Sequence, residues 1–319
     1  MSIAEAVAHL ERGALVAFPT ETVYGLGADA SNPTAIAALY AAKGRPADHP
    51  VIVHLGSIQQ LANLAIDVPP WAMRLATQCW PGPMTLVVRR HGDVVCDAVT
   101  GGRQTVGVRV PNHPVALELL KKFGRGIAAP SANRFGKVSP TTAAHVLADF
   151  DDEIAMVLDG GPCTVGVEST IVDASTDEPR MLRVGALTKE RIEAIIGCPV
   201  ALLNDGQIAA PGALAAHYSP KCRVELVTSD TIEARMRALM NSGTRVAVLV
   251  PASVSTEFPS QITRLRSPAS DDDYARTLYT RLRQADDEET QVLLVVPPEP
   301  VGIGAAVLDR LQRAATVSP

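Results

Sequence analysis

Aromatic residues are scarce in this chain, at 4% of 319 positions. Its core must therefore be filled by Ala, Val and Leu, which suits layered α/β packing. There is no aromatic and basic stripe of the kind that stacks nucleic-acid bases. Five cysteines occur, and no two lie within four residues of each other. That spacing excludes a metal knuckle and a CxxC redox pair, and it fits a reducing compartment. Positive charge is not in excess, since 29 Lys and Arg against 34 Asp and Glu leave a net charge of -5. A broad electrostatic footprint for RNA is missing, although a local basic cleft is not excluded. No apolar run is long enough to span a bilayer, and the N-terminus carries acids early, unlike a signal peptide. A cytoplasmic protein without membrane contact is expected. P-loop, HExxH and defensible Ser-His-Asp spacings are all missing. Val301-Gly-Ile-Gly304 half-resembles a dinucleotide turn but lacks the third glycine.

What is present divides in two. Up to residue 202, short apolar runs alternate with helical patterns, as in Ala14–Phe18, Val51–Leu55, Thr85–Arg89, Thr105–Val110 and Ile127–Ala129. Residues 203–221 have little periodicity and many turn formers, so they are expected to form a linker. From 222 to 319 the pattern restarts as three strand-and-helix repeats, which predicts a small βαβ domain with a parallel sheet. Helices are expected at 3–12, 33–43, 71–79, 115–123 and 188–196. Another is expected to run from Ser139 as N-cap, with Pro140 at its first position, to about Phe150.

The chemistry concentrates around Lys43-Gly-Arg-Pro46, where two cations one residue apart sit beside residues that favour a turn. Cations on a stiff turn suit a polyphosphate or carboxylate ligand, although surface cations are more commonly just solvated. Thr20-Glu-Thr22 follows a strand, where open α/β sheets place ligands. His54 stands near the end of another strand and by itself could be a satisfied core histidine. Arg109 lies on an otherwise apolar alternating strand, and a half-buried Arg wants a carboxylate or phosphate partner. Ser131, Asn133, Ser139, Ser169 and Arg183 complete the group, with Glu168 able to pair with any of the cations. No covalent nucleophile stands out. The group suits nucleotidyl transfer by positioning and charge neutralisation.

Several stretches together resemble one family, YrdC/Sua5. They are Phe18-Pro-Thr-Glu-Thr-Val-Tyr-Gly-Leu-Gly27, Lys43-Gly-Arg-Pro46, Trp80-Pro-Gly-Pro-Met-Thr-Leu86, Val106-Gly-Val-Arg-Val-Pro111, Ala129-Pro-Ser-Ala-Asn133, Val167-Glu-Ser-Thr-Ile171 and Arg183-Val-Gly185. The resemblance covers about residues 5–200, and the appended domain is similar to the longer Sua5 form. It implies a YrdC-like twisted mixed sheet around a basic cavity, plus a smaller Rossmann-like C-terminal domain. The implied activity is that of an L-threonylcarbamoyladenylate synthase, a nucleotidyltransferase. It joins L-threonine, bicarbonate and ATP into threonylcarbamoyl-AMP and releases pyrophosphate. Downstream threonylcarbamoyl-transferase proteins then modify adenosine 37 of tRNA to t6A. Mg²⁺, held mainly by ATP phosphates, is the implied cofactor, with no metal ligands from the protein.

By that resemblance Thr22, His54, Arg109 and Ser169 hold threonine. Lys43, Arg45, His49, Thr105, Ser131, Asn133, Ser139 and Arg183 hold ATP, and Lys43 and Arg45 are the catalytic cations. His217 and Tyr218 would form a linker lid over the cavity. Two departures from the family pattern occur. His49 replaces the usual Asn, and Ala215-Ala216 precede His217-Tyr218 without an Arg. Two rivals are a carbamoyl-transfer domain of the hydrogenase-maturation type and a non-catalytic RNA-binding module. The missing acylphosphatase and zinc-finger segments speak against the first, and the net charge speaks against direct tRNA capture by the second.

Overall fold

The computed structural model describes residues 2–92, 94–202, 218–254 and 258–316. The chain forms two compact units. The first is Met1–Phe135, Ser139–Thr164 and Glu168–Ala213; the second is Gly136–Val138, Val165–Val167 and Leu214–Pro319. Among the described residues no helix is long and apolar enough to cross a membrane.

Eleven strands build the sheet of the first unit. They are β1 (Val16–Phe18), β2 (Gly25–Asp29), β3 (Val53–His54), β4 (Ala65–Ile66), β5 (Met84–Arg90) and β6 (Thr105–Arg109). β7 (Ile127–Ala128), β8 (Met156–Val157), β9 (Thr170–Asp173), β10 (Arg180–Arg183) and β11 (Ala201–Leu202) follow. Their order is β11-β10-β9-β5-β6-β3-β7-β2-β1-β8, with β4 paired to β5. The sheet is mixed: β3 runs parallel to β6, and β5 parallel to β9, whereas β5 and β6 are antiparallel. Period-2 alternation feeds two apolar layers. Val16, Phe18 and Ile127 enter one cluster, while Ala17 and Ala128 enter the other. Both faces are thus buried, which is why these runs read as continuously apolar.

β2 went unrecognised as a strand because its Gly25-Leu-Gly-Ala-Asp29 sequence has poor strand propensity. A Cβ on Gly27 would lie 2.8 Å from Ile127 Cγ2 and 2.9 Å from Phe18 Cε1. Only glycine lets this strand fit between its neighbours.

The helix Pro33–Lys43 begins at Asn32, whose side chain accepts from the amides of Thr34 and Ala35. It ends on Gly44 in the left-handed region, at φ 61°. Lys43 is therefore the last helical residue, and a buried one, instead of a solvated turn residue. The helix expected to start at Ser139 spans Ala143–Phe150 and is capped by Thr142, whose hydroxyl accepts from His145 N at 3.2 Å. The extended Thr142 backbone provides that cap geometry, so Ser139 is left for another role.

In the second unit, β12 (Arg223–Leu226), β13 (Val246–Leu249), β14 (Thr263–Arg264) and β15 (Val292–Val295) are all parallel, in the order β12-β15-β13-β14. The helices Ile232–Asn241, Asp271–Asp287 and Gly304–Ala315 accompany them. Two-residue β14 is one strand more than the pattern gave. Asp271, Asp272 and Asp273 occupy the first turn of their helix, beside Ser270 as N-cap, where acids favour the helix dipole.

Candidate active site

Arg109 ends β6 and is 4% exposed. Parallel pairing sets it beside His54 at the end of β3. Its guanidinium is held from three sides. Nε donates to Gly82 O at 3.2 Å, Nη1 donates to Thr22 Oγ1 at 2.9 Å, and Nη2 lies 2.8 Å from Glu21 Oε1. The last contact is an ion pair, and among the described residues neither Arg109 Nη2 nor either Glu21 oxygen has a hydrogen-bond partner. The strand pattern required an acidic partner for Arg109, and the chain itself supplies one in Glu21. Thr22 is in turn bonded to Thr20, hydroxyl to hydroxyl at 2.8 Å.

His54 is buried against the edge of Phe18, with ring centroids 5.8 Å apart. Burial first, and the Arg109 charge second, push its pKa down to about 3. Its ring is neutral throughout the working range, and Nδ1 has no hydrogen-bond partner among the described residues. A neutral imidazole suits hydrogen bonding to a hydroxyl, not charge pairing. Because the unfolded ring titrates near 6.5 and the folded ring near 3, only the unfolded chain gains the proton between these values. Stability should therefore be complete above pH 6.5 and fall below it, by up to about 1.4 kcal/mol per pH unit from this group. Denaturant midpoints from pH 7.5 to 5 should show that slope, and His54→Gln should flatten it.

Ser169 lies between Thr85 and Arg183. Its hydroxyl lies 2.8 Å from Thr85 Oγ1 and accepts from Arg183 Nη2 at 3.1 Å, while its carbonyl accepts from Arg183 Nε at 3.0 Å. Ser139 Oγ donates to Glu168 Oε1 at 2.7 Å, and both residues are buried. Gly185 lets this layer close, because a Cβ there would lie 2.4 Å from Thr170 N and 2.6 Å from Glu168 O. Both are backbone atoms that cannot swing away. Gly185→Ala should thus displace the Glu168–Thr170 backbone, cost about 1–3 kcal/mol or more, and lower turnover with it. Thermal unfolding and a rate assay on the same sample would check this.

Lys43 Nζ donates to the carbonyl of Ser131 at 2.6 Å and to that of Asn133. The two segments that carry the Lys-Gly-Arg-Pro and Pro-Ser-Ala-Asn motifs are therefore tied by one ammonium. Burial, followed by nearby Arg45, holds the Lys43 pKa well below the ordinary lysine value. Arg45 donates to the carbonyls of His49 at 3.4 Å and Pro50 at 3.0 Å. Its guanidinium lies 5.9 Å from the Phe135 ring centroid, and the His49 ring lies 5.7 Å from the same centroid. Thr105 begins β6, four residues before Arg109 and so roughly 13 Å along the strand from it. Residues 203–217, which include His217 and most of the expected linker, lie outside the described residues. Tyr218 is buried in the second unit, stacked on Tyr279 at 5.5 Å with Arg310 over its ring.

Four participants were not singled out from sequence. Thr85 and the Gly82 carbonyl both come from the Trp80-Pro-Gly-Pro-Met-Thr motif, whose turn residues drew attention away from its polar groups. Phe135 lies in the Ser131-Ala-Asn-Arg-Phe-Gly-Lys137 stretch, where turn formers and polar residues surround a lone ring. Glu21 stands between two threonines at a strand end, and that placement is the signal its sequence carries.

Fold and contacts together define an α/β protein with buried cations and hydroxyls at and near the ends of its strands, where open α/β sheets place ligands. A family model described as telomere recombination (Sua5, YciO, YrdC) matches residues 8–185. A second, the threonylcarbamoyl-AMP synthase C-terminal domain, matches residues 187–316. The threonylcarbamoyl-AMP synthase of Bacillus subtilis strain 168 is 40% identical, over 98% of this chain and 92% of its own. That of Pyrococcus abyssi is also 40% identical, over 97% and 92%. The crystal structure of P. abyssi Sua5 complexed with L-threonine matches with a TM-score of 0.91 and 39% identity, over 98% of this chain and 94% of that one. Full-length HypF in its phosphate- and nucleotide-bound form shares the fold over 57% of this chain, with a TM-score of 0.51 and 20% identity. The chain belongs to the Sua5 family of threonylcarbamoyl-AMP synthases, in the long form with the C-terminal domain.

Proposed function

We propose that the protein is an L-threonylcarbamoyladenylate synthase that makes threonylcarbamoyl-AMP and pyrophosphate from L-threonine, bicarbonate and ATP, the first step toward t6A in tRNA. The observation that supports this reading is the buried Thr22–Arg109 contact beside His54, together with the buried Ser169–Arg183 contact, in a chain similar over nearly its whole length to synthases of that name. In this reading Arg109 holds the threonine carboxylate and neutral His54 meets the threonine hydroxyl, with Thr22 and Ser169 completing the pocket. Lys43, Arg45, Ser131, Asn133, Ser139 and Arg183 face the nucleotide. Thr105 and His49 lie further out, with His49 and Phe135 offering rings for a base to stack against.

The threonine amine, after losing a proton, adds to carbon dioxide, or to bicarbonate with loss of water, to give a carbamate. A carbamate oxygen then attacks the α-phosphorus and pyrophosphate leaves. Positioning and charge neutralisation by the cations carry the rate. Among the described residues no three His, Cys, Asp or Glu side chains cluster to hold a metal. In this reading Mg²⁺ would arrive with ATP, held by phosphate oxygens and water, where it would offset phosphate charge. On the same reading the product passes to threonylcarbamoyl-transferase proteins in the cytoplasm. Pyrophosphate release measured with each substrate left out in turn tests the reaction: release should require both threonine and bicarbonate. Release indifferent to threonine would point to a different acceptor.

A further inference from the structure

The Glu21–Arg109 pair has a feature that charge compensation alone does not explain. Both partners are about 95% buried, yet neither Glu21 oxygen accepts a hydrogen bond from the described residues, and Arg109 Nη2 donates none. A carboxylate placed only to neutralise an arginine would normally take aligned, bidentate hydrogen bonds, because a buried acceptor without them costs free energy. Arg109 Nε and Nη1, by contrast, are satisfied by Gly82 O and Thr22 Oγ1. The pair therefore presents a carboxylate and a guanidinium nitrogen in ion contact at 2.8 Å, both with hydrogen-bonding capacity unused among the described residues. A zwitterionic amino acid has the complementary pattern, with an ammonium donor and a carboxylate acceptor on one carbon.

We propose that Glu21 is a specificity-determining residue of the threonine site, its carboxylate receiving the substrate's α-ammonium while Arg109 receives the α-carboxylate. This rests on the threonine-binding reading above and adds to it a residue and a selectivity. Two charges of opposite sign on the protein meet two on the ligand, so a ligand lacking either one leaves a buried charge without its new partner. The Glu21 charge is already felt by buried neighbours: it adds to the burial that raises the Cys163 thiol to about 12, and it opposes the burial that lowers His113. Neither neighbour supplies a cation to compete for Glu21, because the thiol is uncharged and burial keeps the imidazole neutral.

The test compares L-threonine with 3-hydroxybutanoate, which keeps the carboxylate and hydroxyl but has no amine, by calorimetry on the full chain. Wild type should bind threonine at least ~10-fold more tightly, the loss expected when one buried charge-assisted bond is missing. Glu21→Gln should weaken threonine by a similar factor and leave 3-hydroxybutanoate unchanged or tighter, closing the gap. If Glu21 only positions Arg109, Glu21→Gln will weaken both ligands equally and the gap will persist, which overturns the proposal. Should the variant not fold, wild type alone decides, since equal affinity for the two ligands also overturns it. A wild type that binds ATP but no threonine would overturn the underlying functional reading, and this proposal with it.

Discussion

Replacing Arg109 with methionine should cost about 3–5 kcal/mol of stability, because it leaves the Glu21 carboxylate buried without its cation. The ion pair is almost fully withdrawn from water, and the same guanidinium also bridges Gly82 and Thr22. Adding Glu21→Gln to Arg109→Met removes the orphaned charge, and denaturant midpoints should recover most of the loss. Threonine binding should stay abolished in both variants. The double variant thus separates two jobs of one side chain, since stability returns and recognition does not. Recovery of threonine affinity along with stability would contradict the placement of the substrate carboxylate on Arg109.

The second large effect is on Lys43. Lys43→Met keeps the aliphatic volume and removes the ammonium that holds the carbonyls of Ser131 and Asn133. Two buried acceptors losing a donor should lower stability by about 1–3 kcal/mol each. Turnover should fall much further, by about 10²–10³-fold, the loss typical when one preorganised electrostatic group is removed. Urea unfolding and kcat measured on one preparation distinguish the two effects. Near-normal turnover in a folded Lys43→Met protein would contradict a role for this ammonium in the reaction.

Much of the fold was legible because its strands are short apolar runs punctuated by Gly and Pro, and those runs are buried on both faces of a sheet. β2 was not legible, because its glycines are demanded by the closeness of Phe18 and Ile127, a tertiary constraint that local propensity does not encode. Ser139-Pro140 carried a plausible helix start, and three-residue competition with Thr142 decided otherwise. At the site, Arg109 announced itself as a cation on an apolar strand, and only the fold could identify Glu21 as its partner. Lys43 was read as a turn cation because Gly44 follows it. In the fold that glycine ends the helix expected over 33–43, and Lys43 is buried as its last residue. The residues proposed for threonine and for the nucleotide are separated by as many as 161 positions, from Thr22 to Arg183, and the pairing of β5 with β6 and β9 places Arg109 and Thr170, next to Ser169, in one sheet.

The central claim is that one site joins threonine, a one-carbon unit and the AMP of ATP. Mass spectrometry of a prompt quench, with ¹³C-labelled bicarbonate as the carbon source, tests it most directly. The account predicts a threonylcarbamoyl-AMP ion that carries the label and vanishes when threonine is omitted. An AMP adduct without the label, or one formed equally without threonine, would contradict it.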